Sequence, residues 1–189
     1  PILYFTSPGQ FNFNLGIDIY ELRNETQYCC NQYNEYYNVY DAGAITDLGV
    51  DANNKLYLSS TFGLFTSTNY SNFSSTNIIE SINDVLITQS GHVYAAGSKI
   101  WVSQNGNNYS SLYTSTIPIK EIFVRESNES KIYGTTTNGL IYSSNSGSSF
   151  NNFSNSQGLP SRRTTSIVFH DYLQKVFVGT EAGIGIGNP

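Results

Sequence analysis

Apolar residues in this chain come in short runs broken by polar turns, and the runs return at a regular interval. An aliphatic residue precedes an aromatic one at Ile19-Tyr20, Leu56-Tyr57, Val93-Tyr94, Ile132-Tyr133 and Val176-Phe177. The aromatic positions lie 37, 37, 39 and 44 residues apart. A second series, Tyr28, Phe65, Trp101 and Tyr142, has separations of 37, 36 and 41. A third, Tyr36, Phe73, Tyr109 and Phe150, repeats those three separations. These series mark the second, third and fourth strands of a repeated unit. Ahead of each second strand lies a more apolar run: Ile45 to Val50, Ile79 to Thr88, Ile119 to Val124 and Ile167 to His170. These runs read as innermost strands, packed on both faces beside a central channel. No stretch of useful length shows the 3.6-residue helical period.

The pattern predicts an all-β fold, a five-bladed β-propeller of four-stranded antiparallel blades, with residues 1–189 as one domain. The first unit is the least regular. Its innermost strand is either Ile2 to Thr6 or Phe11 to Asn14. With Phe11 to Asn14 innermost, Ile2 to Thr6 pairs as the outer strand of the last blade and closes the ring. With Ile2 to Thr6 innermost, the last blade lacks an outer strand after Ile186.

Turn chemistry supports the strand boundaries. In Ile141 to Phe150, an apolar pair enters Ser143-Ser144-Asn145-Ser146-Gly147 before Phe150. Gly and Asn tolerate positive φ, and Ser and Asn side chains bond back to a turn's backbone. Weaker copies follow Phe65, Trp101 and Tyr28. The turn resembles the Asp-box, Ser-x-Asp-x-Gly-x-x-aromatic, of sialidase-type and sortilin-type β-propellers. Ser143, Asn145, Gly147 and Phe150 match it with Asn in place of Asp. In that family the box is a structural turn far from the active site, so the resemblance implies fold and not catalysis. The last unit, from Gly158-Leu159-Pro160-Ser161 through Val178-Gly179-Thr180-Glu181-Ala182-Gly183, resembles the repeat of two-component-regulator sensor propellers.

Composition narrows the function classes. Charged residues make up 12%, aromatic residues 14%, and the net charge is -5. That balance argues against nucleic acid or an anionic membrane as partner. No apolar run is long enough to span a membrane. The chain begins at Pro1 and has no Met, which predicts a processed or incomplete chain, with signal-peptide removal as one route. The composition resembles secreted proteins of hyperthermophilic archaea and the surface or tail proteins of their viruses. An extracellular, cell-surface or virion location is the expectation.

Candidate chemistry is sparse. Sialidase-like catalysis needs an arginine cluster, and the chain has only Arg23, Arg125, Arg162 and Arg163. Glycoside hydrolysis or lysis at the channel mouth would draw on Asp47, Asp84, Glu121 and Asp171, on or beside the innermost strands. The plainer reading makes these solvated strand-end residues. His92 and His170 lack convergent metal ligands, and the glycines of residues 183–187 precede no helix, so no metal, phosphate or other cofactor site is expected. The adjacent pair Cys29-Cys30 is either one buried and one exposed thiol or a vicinal disulfide. Sequons at Asn24, Asn69, Asn72, Asn108, Asn128 and Asn152 are glycosylation candidates, most of them in turns. Tyr33, Tyr36, Tyr37 and Tyr40 are candidates for a contact surface toward a partner subunit or a glycan, or for outer-strand core. The expected role is non-enzymatic: a structural or binding component that docks to other subunits or glycans. A hydrolase or lyase at the channel mouth is the alternative, and a lectin a further one.

Overall fold

The computed structural model describes residues 2–6, 16–21, 35–38, 42–70, 72–170 and 172–188, the first three stretches by their backbone. They form five antiparallel sheets in chain order. The first sheet holds β1 (Ile2–Thr6), β2 (Gly16–Glu21) and β3 (Glu35–Asn38). The second holds β4 (Ile45–Val50), β5 (Leu56–Ser60), β6 (Gly63–Ser67) and β7 (Ser74–Ser75). The third holds β8 (Ile82–Ile87), β9 (Val93–Gly97), β10 (Lys99–Ser103) and β11 (Ser110–Thr114). The fourth holds β12 (Glu121–Val124), β13 (Ile132–Thr136), β14 (Gly139–Ser143) and β15 (Asn151–Phe153). The fifth holds β16 (Thr164–His170), β17 (Lys175–Thr180) and β18 (Gly183–Gly187). Within each sheet, consecutive strands are neighbours.

Packing lies between sheets. Tyr57 and Leu64 of the second sheet meet Val85, Val93 and Ala95 of the third. Tyr94, Ala96 and Ile100 of the third meet Ile122, Val124, Ile132 and Ile141 of the fourth. Tyr133 and Leu140 of the fourth meet Ile167, Val176 and Val178 of the fifth. The first strands of successive sheets also neighbour one another, β4 with β8, β8 with β12 and β12 with β16. Sheets stacked face to face, with their first strands gathered together, account for the recurring aromatic: it is the large side chain that fills each gap.

Two expectations are corrected, and the place of Ile2 to Thr6, open between two alternatives, is decided. The fully buried strands are β5, β9 and β13, the second of each sheet, whereas β4, β8, β12 and β16 are only partly buried. A second strand has neighbours on both edges and sheets on both faces, while a first strand borders the opening between sheets. Tyr36 does not begin a fourth strand; β3 pairs directly with β2, with Asp18 opposite Tyr36. Ile2–Thr6 pairs with β2, from Ile2 opposite Glu21 to Thr6 opposite Ile17, so it is not the outer strand of the last sheet. Among the described residues, no strand lies beyond β18 in the fifth sheet. Cys29, Cys30, Asn24, Tyr33, Tyr40 and Asp171 lie outside the described residues, and of Tyr36 and Tyr37 only the backbone is described.

A turn between the second and third strands recurs with one chemistry. The hydroxyls of Ser60, Thr136 and Thr180 donate to the carbonyls of Gly63, Gly139 and Gly183 at 3.0, 2.7 and 2.7 Å. Each hydroxyl also accepts the N–H two residues on, from Phe62, Asn138 and Ala182. The glycine has positive φ in all three, and a Cβ at Gly139 would stand 2.2 Å from the Phe153 carbonyl oxygen. These turns lie at the same end of the sheets as the start of each first strand.

Candidate functional site

That end carries a cleft of about 520 Å³ lined by Thr46, Asn83, Pro118, Lys120 and Thr137. Its shape comes from the first strands. Pairing shifts register between Ile45 and Asp47 and between Ile82 and Asp84, which leaves Thr46 and Asn83 as extra, bulged residues. A bulge re-aims the side chain it inserts. Here the Thr46 hydroxyl donates to the Ile82 carbonyl at 2.6 Å, and the Asn83 amide donates to the Ile119 carbonyl at 2.7 Å. Each bulged residue thus reaches the chain leading into, or opening, the next sheet's first strand.

The carboxylates next to the bulges do something different from either expectation. Asp47 Oδ2 accepts the N–H of Val85 at 3.1 Å, and Asp84 Oδ2 accepts the N–H of Ile122 at 2.6 Å. Glu121 accepts the N–H of Ile167. The three form one series of ties between first strands. Burial, chiefly, raises Asp84 to about 7, with a hydrogen bond to Asp47 and the charges of Asp47 and Glu121 acting in the same direction. Burial raises Glu121 as well, and its Oε2 is buried without a hydrogen-bond partner.

Asp47 and Asp84 hydrogen-bond to each other. Hydrolysis of a glycoside requires two carboxyl groups roughly 5–5.5 Å apart, or about 6.5–9.5 Å with a water between them. Asp47 and Asp84 each already accept a backbone N–H of the next sheet, which leaves less of each carboxyl for such a role. The cleft itself presents hydroxyl, amide and one ammonium group. Beside the turn at this end, Phe62 is 59% exposed and Ile79 is 84% exposed. The Ile79 backbone lies beside Gly63, where an added Cβ would stand 3.5 Å from Ile79 Cα, while the Phe62 ring lies against Gly43.

The other sequence candidates fall in separate places. Asn69 Oδ1 accepts the N–H of Asn72, and Asn128 Oδ1 accepts the Ser130 hydroxyl at 2.6 Å. Asn152 donates to the Asn138 carbonyl. Asn72 and Asn108 are exposed. His92 Nδ1 is bonded to Glu129, and His170 Nδ1 accepts the Leu173 N–H. Arg125 lies over the Phe169 ring at 4.1 Å, and Arg163 pairs with Glu181 at 3.5 Å. Among the described residues no group of His, Cys, Asp and Glu could hold a metal ion, and no helix is long and apolar enough to cross a membrane. Thr46, Asn83 and Lys120 escaped the sequence reading. A signal was available: Asp47, Asp84 and Glu121 each follow a polar residue in an apolar strand, at intervals of 37 and 37.

No family model and no curated protein matches the chain. Solved structures do. The extracellular domain of the hybrid two-component system BT3049 from B. thetaiotaomicron aligns with a TM-score of 0.70 at 13% identity, over 99% of this chain and 27% of that one. YCF48, in a structure with D1 peptide bound, aligns with a TM-score of 0.63 at 14% identity, over 92% of this chain and 60% of that one. The β-propeller domain of Cps50 (Swd1) from Myceliophteria thermophila aligns with a TM-score of 0.59 at 14% identity, over 77% of this chain and 52% of that one. The chain therefore spans between 27% and 60% of these three structures. The likeness is one of fold: antiparallel sheets of three or four strands, of the β-propeller type.

Proposed function

We propose that this chain is a five-bladed β-propeller, secreted or surface-displayed, that docks a protein partner and performs no catalysis. The partner is a subunit of an extracellular or virion assembly. It docks on the end of the sheets where the Thr46, Asn83 and Lys120 cleft opens beside Phe62 and Ile79. The observation that carries this reading is the exposure of two large apolar side chains, Phe62 and Ile79, at the end of the sheets where the polar cleft opens. Exposed aromatic and aliphatic side chains at one end of the sheets favour a protein contact. The commitment of Asp47, Asp84 and Glu121 to neighbouring backbone N–H groups weighs against the hydrolase alternative. Structures of similar fold include the extracellular domain of a hybrid two-component system and YCF48 with D1 peptide bound, which supports both the location and the kind of partner.

The test places a photo-crosslinking amino acid at position 62 or 79, and at Asn53 on the opposite end of the same sheet, within the native assembly. Cross-links to another polypeptide from positions 62 and 79, and none from position 53, are expected. Equal cross-linking from all three positions would overturn the docking face. Hydrolysis of a polysaccharide by the intact protein, abolished by Asp84→Asn, would overturn the non-catalytic role.

A further inference from the structure

At the opposite end of the sheets, between the third and fourth, lies a second cleft of about 470 Å³. Its lining includes His92, Tyr94, Gln104, Asn108, Glu129 and Ser146. That volume falls in the range of small-molecule sites, roughly 300–1,000 Å³. We propose that this cleft binds a neutral saccharide.

A junction one sheet earlier shows why the cleft exists. Lys55 immediately precedes β5, as His92 precedes β9 and Lys131 precedes β13, while Lys175 opens β17. Lys55 crosses from the second sheet to the turn of the third, where Nζ donates to the Gly106 carbonyl at 2.7 Å and to Asn107 Oδ1 at 2.9 Å. The Tyr57 hydroxyl packs so closely there that a Cβ on Gly106 would be 2.0 Å from it. The gap is filled. At the next junction, His92 stands in the lysine's register and is shorter. Its Nδ1 is held by Glu129 of the following sheet. Among the described residues no side chain of the third sheet hydrogen-bonds across to the turn around Ser146 as Lys55 does to its turn, and a cleft remains there.

The groups facing that gap select the ligand. Glu129 accepts the Ser90 hydroxyl at 2.5 Å as well as His92. Burial alone would raise Glu129, but hydrogen bonds from Ser90, His92 and Thr88 and the His92 charge hold it below its ordinary range. The one carboxylate is therefore already partnered inside the protein. What remains is uncharged. The side chains of Gln104 and Asn108 have no hydrogen-bond partner among the described residues, nor do the hydroxyls of Ser110 and Ser146, which also line the cleft. Each of these four groups donates and accepts. With Nδ1 bonded to Glu129, Nε2 is the ring nitrogen of His92 left for a ligand. Two amides, two hydroxyls and an imidazole match adjacent hydroxyls that also donate and accept. They offer an anion or a cation no opposite charge that is not already paired.

The experiment uses the full chain made in a bacterial host, with Asn108 confirmed unmodified by mass. Saturation-transfer NMR is run against a panel of neutral hexoses, N-acetylhexosamines and their disaccharides, with glucuronic acid as the charged control. At least one neutral sugar is expected to bind, and glucuronic acid to bind more weakly. Gln104→Ala with Asn108→Ala should weaken that sugar about tenfold, the effect of losing one or two hydrogen bonds. His92→Lys, which restores the residue of the filled junction, should abolish it, with thermal melting unchanged in both variants. Phe62→Ser should leave it unaltered, so failure here is separate from failure of the docking face. No signal from any neutral sugar, binding insensitive to these substitutions, or a native protein whose Asn108 carries a glycan would each overturn the proposal.

Discussion

Asp47 is hydrogen-bonded to Asp84, and each also accepts a backbone N–H from the first strand of the following sheet. Two ionised carboxylates in direct contact repel, so the pair is most stable holding one proton. The proton resides on Asp84, which burial and Asp47 raise from 3.8 to about 7. In the unfolded chain Asp84 binds its proton only below about 4. The stabilisation from the folded-state proton is thus fully present only below about 3.8, fades as pH rises, and is lost above about 7. Asp84→Asn keeps an acceptor for Ile122 and supplies a permanent donor to Asp47. Its melting temperature should exceed the parent's at pH 8, by about 2–4 °C for each kcal/mol regained. The two proteins should converge toward pH 4. Parallel curves from pH 4 to 8, read by circular dichroism, would show that no proton is shared.

Gly106 and Gly91 both have positive φ, 67° and 88°. They differ in what surrounds them. A Cβ on Gly106 would stand 2.0 Å from the Tyr57 hydroxyl, whereas nothing lies within 4 Å of one on Gly91. Gly91→Ala should cost about 1 kcal/mol, the backbone term alone. Gly106→Ala should cost about 2–4 kcal/mol, because the Tyr57 and Lys55 contacts between the second and third sheets must also shift. Urea unfolding of the two variants measures the difference; equal costs would mean that the gap between sheets yields freely.

How much of this was legible depends on what each residue does. Tyr57, Tyr94 and Tyr133 fill the spaces between sheets, so burial forces an aromatic into the same register of each unit and the spacing reveals it. Ile45–Val50 was readable to the residue as a strand, although its burial was not. Tyr36 was misplaced because spacing orders strands along the chain and says nothing of which neighbour each will pair with. Thr46 and Asn83, marked only by a polar residue recurring ahead of Asp47 and Asp84, were hard to see for a related reason. A bulge is a feature of pairing between two strands, and neither strand's own alternation encodes it. The turn chemistry of Ser143 to Phe150 was local, and local hydrogen bonds are what a short motif specifies best.

That turn makes its own prediction. Asn145 Oδ1 accepts the Ser143 hydroxyl at 2.9 Å and the Ser149 N–H at 3.0 Å, and Nδ2 donates to the Ser149 hydroxyl at 2.9 Å. Ser143 Oγ accepts the Gly147 N–H. The two acceptor roles need only a carboxyl-type oxygen. Asn145→Asp should therefore fall within about 0.5 kcal/mol of the parent, while Asn145→Ala should cost about 1–3 kcal/mol by stranding the turn's donors. A stable Asn145→Ala would show that the turn is held by Gly147 and its packing on Leu112 instead.

The fourth and fifth sheets are joined by a buried hydroxyl, and its removal is the sharpest test of how sheets are held together. Thr164 Oγ1 accepts the Thr136 N–H at 2.9 Å and lies 3.0 and 3.1 Å from the carbonyls of Thr136 and Gly139, to which it donates. Thr164 is fully buried. Thr164→Val preserves shape and deletes all three contacts, leaving the Thr136 N–H without an acceptor in a dry site. Water has no access to replace the hydroxyl, so the cost should be about 1–3 kcal/mol. Thr164→Ser keeps the hydroxyl and loses one methyl, about 1 kcal/mol of burial. In urea, Thr164→Val should lower the midpoint more than Thr164→Ser does, with the slope of the transition unchanged in both. A shallower slope in Thr164→Val alone would mean that the fifth sheet detaches before the rest unfolds.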